Sequence, residues 1–426
     1  MQVSVFTPTH KLDHLLQAYR SLQAQTYSNW KWIVVPNGEV TVERIRQELS
    51  DVWLDERVKI VTNLDGLKFP CVGALKSVAC KAAKGDVLLE LDHDDALMPT
   101  AIEKVAGAFE DDSVSFVYSN CANIDKDGQP YLFNRQNGWE YRTQTWDGLQ
   151  VQECIAPAPV PQHLSRIWYA PDHVRAWRAS FYHSIGGHNQ DLQVGDDHEL
   201  LCRTYLNGRM VHIDEMLYVH RMLSDSTWGT RQGDIETTHW ETYEAYKEKL
   251  AMRWAQENGL LCIDLCGAIG RPDGYISVDR HNADIEGDLN ERWPFEDGQV
   301  GIIRAADALE HLRDRIHTMN EAHRVLAHGG FLFSMTPSTD GPDGRSGRGA
   351  FCDPTHVSYW NQLSFRYYTQ SNFRKYIEPQ CTARFQEVRV QTSYPSQWHS
   401  DNGVPYVQAD LIAVKDGPRF HGSLWI

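Results

Sequence analysis

Residues 86–95 read DVLLELDHDD. Val87 to Leu91 are apolar except for Glu90, the pattern of a strand covered on both faces. The chain then places Asp92, Asp94 and Asp95 around His93. A strand of that kind lies inside a sheet, so its charged end must leave the core at the sheet's carboxyl edge. In covered parallel sheets that edge is where ligands bind.

The segments upstream agree. VSVFTP (3–8) reads as a strand, HLLQAYRSLQAQ (14–25) carries Leu15, Leu16, Tyr19 and Leu22 at helical spacing, and WKWIVVPNG (30–38) is a strand closed by Asn37-Gly38. VERIRQEL (42–49) reads as helix, RVKIVTN (57–63) as strand and CVGALKSVACKAAKG (71–85) as helix. Strands alternating with helices predict an α/β fold with a mostly parallel sheet. The ends of three strands then bring Thr7-Pro8-Thr9, Asn37 and Asp92–Asp95 to one rim.

A charged helix is predicted over 233–258, and a second, smaller α/β series follows. Its strands are LLCIDLCG (260–267), GYISVD (274–279), VGIIRAAD (300–307) and FLFSMTPS (331–338), with a helix over 312–330 stopped by Gly329-Gly330. The predicted organisation is a first domain at 1–232, a linker helix at 233–258 and a second domain at 259–426. STDGPDGRSGRG (338–349) reads as a mobile loop.

Composition narrows the function. The 426 residues are 42% hydrophobic, enough for two cores, and no apolar run reaches the roughly 18 residues of a membrane span. Nine cysteines without a CxxC pair fit reduced thiols and a cytoplasmic location. A net charge of −16 argues against a surface that grips nucleic acid throughout. RIWYAPDHVRAWR (166–178), basic with interleaved aromatics, reads first as a surface segment and keeps a local nucleic-acid groove open.

Hard divalent cations prefer oxygen ligands and commonly bridge carboxylates to phosphates, which an Asp-x-Asp at a strand end can serve. The alternative for these aspartates is capping of the helix that begins near Pro99. The same choice, proton acceptor or helix cap, exists at Asp196-Asp197 after Gly195.

Three stretches, VSVFTPTHKLDHLLQAYRSLQAQTYSNWKWIVVPNG, GALKSVACKAAKGDVLLELDHDDALMPTAI and SIGGHNQDLQVGDDHELLCRTYLNGRMVHIDEMLYVHR, come in the order and spacing of family 2 glycosyltransferases with the GT-A fold. This resemblance covers about residues 1–230. It implies that Thr7, Pro8 and Thr9 hold the base and ribose of a nucleotide-sugar, with Lys76 near the diphosphate. It implies Asp92 beside the ribose, Asp94 as a ligand of Mn²⁺ or Mg²⁺, His220 as a further metal ligand, and Asp197 as general base in an inverting transfer. Where the family has two aspartates before a glycine, this chain has Pro36-Asn37-Gly38. Asn37 can read a base edge but supplies no carboxylate against uracil. A UDP-sugar remains the expected donor.

LLCIDLCGAIGRPDGYISVD, GDLNERWPFEDGQVGIIRAADALEHL and NEAHRVLAHGGFLFSMTPS resemble class I S-adenosylmethionine-dependent methyltransferases of the type-11-like group, and GAFCDPTHVSYWNQLSFRYYT resembles a loop of phage-encoded relatives. The resemblance implies Asp264, Gly267, Asp279 and Asp288 at an S-adenosylmethionine site. The family's Gly-x-Gly turn is replaced by Cys266, Gly267 and Ala268. Both an active methyltransferase and a structural or acceptor-binding module stay open. Asp353, His356 and Trp360 either line an acceptor pocket or form an Asx turn beside Pro354 with a packed Trp.

The leading expectation is a metal-dependent glycosyltransferase with a fused methyltransferase-like domain. Its acceptor would be the hydroxyl of a glycan, a protein or, in a bacteriophage enzyme working in the host cytoplasm, a hydroxymethylated DNA base. A bifunctional glycosyl- and methyltransferase is the second class, and a non-catalytic binding protein the third. The clustered carboxylates argue against the third, because they repel one another without a cation.

Overall fold

The computed structural model describes residues 1–62, 71–167, 169–267, 270–344, 346–417 and 420–421. The chain divides into two units, Met1–Tyr246 and Lys247–Ile426. The long helix Gln232–Glu257 contributes residues to both.

The first unit is built on a ten-stranded sheet. Its strands are β1 (Val3–Thr9), β2 (Trp30–Pro36), β3 (Val58–Ile60), β4 (Val87–Glu90), β5 (Ala96–Leu97), β6 (Val114–Ile124), β7 (Tyr141–Trp146), β8 (Leu149–Cys154), β9 (Arg175–Arg178) and β10 (Arg209–Arg221). The order is β3-β2-β1-β4-β9-β6-β10-β5, with β8 paired to β6 and β7. β3, β2, β1 and β4 are parallel, and β1 and β4 are buried along almost their whole length, as covered strands must be. β9 then enters antiparallel between β4 and β6, and parallel pairing resumes between β6 and β10, so the sheet is mostly parallel as predicted, with one antiparallel strand inserted. Strand order reverses between β1 and β4, which opens a crevice at their carboxyl ends. Leu15, Tyr19 and Leu22 of helix Leu15–Gln23 join the core with Trp30, Trp32, Val87 and Leu89.

Gly73 sets a close approach. A Cβ there would fall 2.8 Å from Asp196 Cβ and 2.9 Å from the Asn189 carbonyl. Without one, helix Val72–Ala82 lies directly against the start of helix Asp196–Asn207, which brings Lys76 and Asp197 to the same crevice.

The second unit has seven strands: β11 (Leu261–Leu265), β12 (Ile276–Asp279), β13 (Ile285–Glu286), β14 (Val300–Ala306), β15 (Leu326–Pro337), β16 (Phe385–Ser393) and β17 (Tyr406–Ala413). Their order is β13-β12-β11-β14-β15-β17-β16, parallel except for β17, which runs antiparallel to both neighbours. Here order reverses between β11 and β14. The helix expected over 312–330 ends at Val325, and Gly329-Gly330 lie inside β15. A Cβ at Gly330 would press on Leu326 Cδ2 at 2.9 Å, so the pair serves an irregular strand start and not a helix stop. The 338–349 loop is closed by bridges from Asp340 to Ser346 and from Ser338 to Trp360.

Candidate active site

At the β1/β4 crevice the first unit encloses a cleft of about 430 Å³. Of the residues expected from sequence, Pro8, Asn37, Lys76, Asp92, Asp94, Asp197 and His220 line it. They arrive from the ends of β1, β2 and β4, from two helices and from the end of β10. Thr7 and Thr9 do not line it. Alternation along β1 turns both inward, where the Thr7 hydroxyl donates to the Leu91 carbonyl at 2.6 Å and accepts from Trp32 Nε1 at 2.8 Å. Thr9 donates to the Lys11 carbonyl. These hydroxyls shape the rim. The Asn37 amide faces the cleft and makes no side-chain hydrogen bond to the described residues.

Behind the rim lies a buried ionic network. Lys76 on its helix pairs with Glu90 of β4. Burial works against the ammonium, but the carboxylates of Glu90, Asp92, Asp196 and Asp197 hold its pKa above the lysine range. Burial likewise opposes ionisation of Glu90, and Lys76 and His173 overcome it, leaving the carboxyl well below its ordinary value. His173 Nδ1 is 2.9 Å from Asp172 Oδ1, and its Nε2 lies 3.7 Å from Glu90 and 3.9 Å from Asp92. Against burial and the Arg175 charge, the Asp172 and Glu90 carboxylates lift His173 to about 10, so the ring is an imidazolium at neutral pH.

Arg175 is 1% exposed. It donates to Asp197 Oδ2 at 2.9 Å and to the carbonyls of Pro171 and Tyr169. Burial pushes the Asp197 carboxyl up, and Arg175 followed by Lys76 brings it below the usual range. Asp197 Oδ1 accepts the His198 N–H at 2.8 Å, so each oxygen keeps a lone pair for a ligand in the cleft. Its neighbour Asp196 turns inward, and burial raises its pKa to about 7. The helix opens at Gly195 without a side-chain cap.

The three aspartates after β4 divide in the same way. Asp95 is fully buried and accepts from Tyr218 Oη at 2.8 Å and the Arg221 N–H at 2.7 Å, fastening the end of β10. Asp92 and Asp94 open on the cleft, and among the described residues no donor hydrogen-bonds to either carboxylate. His220 Nδ1 lies 3.1 Å from Asn123 Oδ1, which leaves Nε2 as its other nitrogen. Two carboxylates that accept no hydrogen bond from the described residues, with His173 Nε2 3.9 Å from Asp92 and His93 Nδ1 3.8 Å from Asp94, fit a hard divalent cation together with the His220 imidazole. The tightest grouping of donor atoms in the cleft, within 4.8 Å, is a different one: Glu90, Asp92 and His173. There the protein's own cations, Lys76 and protonated His173, already balance the charge.

Glu90, Asp172, His173 and Arg175 were not expected from sequence. The one signal was Glu90, a carboxylate inside an apolar strand, which demands a buried cation. The 166–178 segment, read as a basic surface, instead sends Arg175 into this network and Arg178 to the carbonyls of Val114, Phe109 and Asp111. Trp168 lies outside the described residues.

In the second unit Asp264 and Asp279 sit at the carboxyl edges of β11 and β12, and Asp288 follows β13. Asp264 is buried and paired with Arg304 at 2.9 Å, and burial raises its pKa. Gly267 packs on it, since a Cβ there would meet Asp264 Oδ2 at 2.5 Å. Asp279 ends β12 and accepts the Arg280 N–H. Asp288 is held by the Asn290 N–H and by Arg280. Ala268 lies outside the described residues. Asp353 does form an Asx turn, with Oδ1 accepting the Thr355 N–H, and Trp360 is buried.

Comparison with known proteins agrees with this division. Residues 4–159 match the family model "Glycosyl transferase family 2", and residues 270–334 match "Methyltransferase domain". Chondroitin synthase of Escherichia coli is 21% identical over 267 residues, 62% of this chain and 35% of its own length. Hyaluronan synthase of Pasteurella multocida is 22% identical over 241 residues, 56% of this chain and 22% of its own. The O-antigen biosynthesis glycosyltransferase WbnJ of Escherichia coli is 29% identical over 103 residues, 24% of this chain and 39% of its own. The chain thus spans about a third or less of the two synthases it matches. Among solved structures, S. aureus TarS 1–349 aligns with a TM-score of 0.43 and 16% identity over 61% of this chain and 71% of its own.

Proposed function

The chain carries a family 2 glycosyl transferase domain followed by a methyltransferase-like domain, and from that premise we propose that the first unit transfers a sugar from a nucleoside diphosphate, a uridine diphosphate foremost, to a glycan hydroxyl with inversion. The observation that carries the reading is the convergence of Asn37, Lys76, Asp92, Asp94 and Asp197 on one cleft at a strand-order reversal.

In this reading Asn37 faces the base and Asp92 the ribose. Asp197 takes the proton of the acceptor hydroxyl as that oxygen bonds to the anomeric carbon, while the bond from that carbon to the diphosphate oxygen breaks. Arg175 fixes the Asp197 carboxylate in place for this step. Asp92, Asp94 and His220 Nε2 would hold Mn²⁺ or Mg²⁺, which when bound neutralises the leaving diphosphate.

Phe133, Tyr169 and Trp228 line the same cleft, and Phe133 and Tyr169 stack with ring centroids 5.3 Å apart. Such a wall offers flat apolar surface to a sugar ring beside polar groups for its hydroxyls. The relatives named for chondroitin, hyaluronan and O-antigen synthesis point to glycan acceptors as well. A modified DNA base is the weaker reading, because Arg175 and Arg178 are spent inside the unit and leave no basic track there.

The test is nucleotide release from a panel of UDP-sugars with Mn²⁺ and oligosaccharide acceptors. Acceptor-dependent release that is lost in Asp197→Asn supports the proposal; release from no donor, or equal release by Asp197→Asn, overturns it. For the second unit the position of Asp279 favours S-adenosylmethionine and the Asp264–Arg304 pair opposes it, so calorimetric titration with the cofactor decides between them.

A further inference from the structure

The second unit contains a donor cluster that the transfer reading does not use. The strand β14 ends at Ala306, and a single helical turn, Leu309–His311, follows it. Glu310 and His311 on that turn, with His356 from the loop after the Asx turn, bring one donor atom each to within 4.8 Å of one another.

The loop is pinned to the turn. The N–H groups of Val357 and Ser358 both donate to the Glu310 carbonyl, at 2.8 and 3.0 Å, and the Ser358 hydroxyl donates to the Leu309 carbonyl. The two imidazoles stand 5.1 Å apart, centroid to centroid.

Each donor is prepared by a partner of its own. His311 Nδ1 lies 3.2 Å from the Thr355 carbonyl and His356 Nδ1 3.1 Å from the Ala350 carbonyl. A carbonyl only accepts, so both Nδ1 atoms carry the proton and both Nε2 atoms keep a lone pair. That is the arrangement found behind metal-bound histidines. Thr336 donates to Glu310 Oε2 at 2.6 Å. Glu310 is 2% exposed, and its Oε1 has no hydrogen-bond partner among the described residues. An unsatisfied buried carboxylate oxygen is costly, and a cation is the group that would relieve it. Asp353 Oδ2, 3.9 Å from His356 Nε2, is within reach as a fourth donor.

We propose that Glu310, His311 and His356 bind a divalent first-row transition cation, with zinc as the reference ion. Two imidazole nitrogens and one carboxylate oxygen suit that class and leave a position open to water or a ligand. Tetrahedral donors about 2.0–2.1 Å from an ion stand roughly 3.3 Å apart, so binding draws in donor atoms that now lie within 4.8 Å of one another. The ion lies at the carboxyl edge of β14, beside the crevice where strand order reverses between β11 and β14. This site is independent of the cleft in the first unit, whose donors are mainly oxygens.

The full chain, stripped with a chelator and held in excess Mg²⁺ to occupy oxygen-donor sites, is titrated with zinc by calorimetry and with cobalt by visible absorption. One equivalent of zinc and the absorption bands of cobalt in an imidazole-containing site are expected. Zinc affinity falls at least tenfold in His356→Ala and is lost in the His311→Ala/His356→Ala double variant. Far-UV circular dichroism of the metal-free proteins checks folding. If the alanine variants do not fold, His356→Gln carries the test with the same expected loss. Absence of zinc binding at micromolar concentration, or an unchanged isotherm in the His356 variants, overturns the site.

Discussion

Replacing Arg175 by Met tests the electrostatics of the cleft at its centre. The guanidinium is 1% exposed and sits 2.9 Å from Asp197 Oδ2. Removing one partner of a buried pair strands the other charge, which costs about 3–5 kcal/mol. Asp197 is left beside Asp196 and Glu90 with only Lys76 to oppose burial. The sign follows from its lowered pKa. The wild-type carboxyl contributes stability that is fully present above the unfolded value of about 3.9 and lost as pH falls through the lower folded value. In Arg175→Met that contribution disappears, and the Asp197 pKa rises. Urea unfolding near neutral pH should show the full loss, and the acid limb of kcat/KM for nucleotide release should move up by about one pH unit or more. Arg175→Lys keeps the charge but not the fork, and should fall between the two. A stability loss under about 1 kcal/mol, the range of exposed pairs, together with an unmoved acid limb would show that Arg175 does not hold the Asp197 charge.

Lys76→Met should destabilise by about 3–5 kcal/mol by stranding Glu90, and Lys76→Met/Glu90→Gln should recover most of it in thermal or urea unfolding. His173, lifted to about 10, contributes stability that is complete below its unfolded value of about 6.5 and is lost as pH rises toward 10. Urea midpoints of the wild type should therefore fall across that window more steeply than those of His173→Phe. Gly267→Ala places a methyl 2.5 Å from Asp264 Oδ2, on a carboxylate tied to Arg304, and should cost about 1–3 kcal/mol, read as a lower unfolding midpoint.

Features of the fold that follow local rules were legible in the sequence. Buried strands declared themselves as unbroken apolar runs, and the exit of Asp92 and Asp94 from such a run put the cleft at the right edge of the sheet. Asp197 was legible as one acid of a pair, but not that Asp196 would turn inward, because that depends on which face of its helix meets Gly73. β9 was not legible. It has four residues, two of them arginines, and it pairs with β4 and β6 from elsewhere in the chain. The same strand carries Arg175, so the partner of Asp197 was no more legible than the strand. A basic, aromatic segment looks alike in sequence whether its cations face solvent or buried carboxylates.

The most direct test of the cleft is calorimetric titration of the protein with UDP, with and without Mn²⁺, in the wild type and in Asp94→Ala. Binding that requires Mn²⁺ and disappears in the variant is the predicted result. UDP that binds equally well without the metal, or to the variant as to the wild type, would contradict the account.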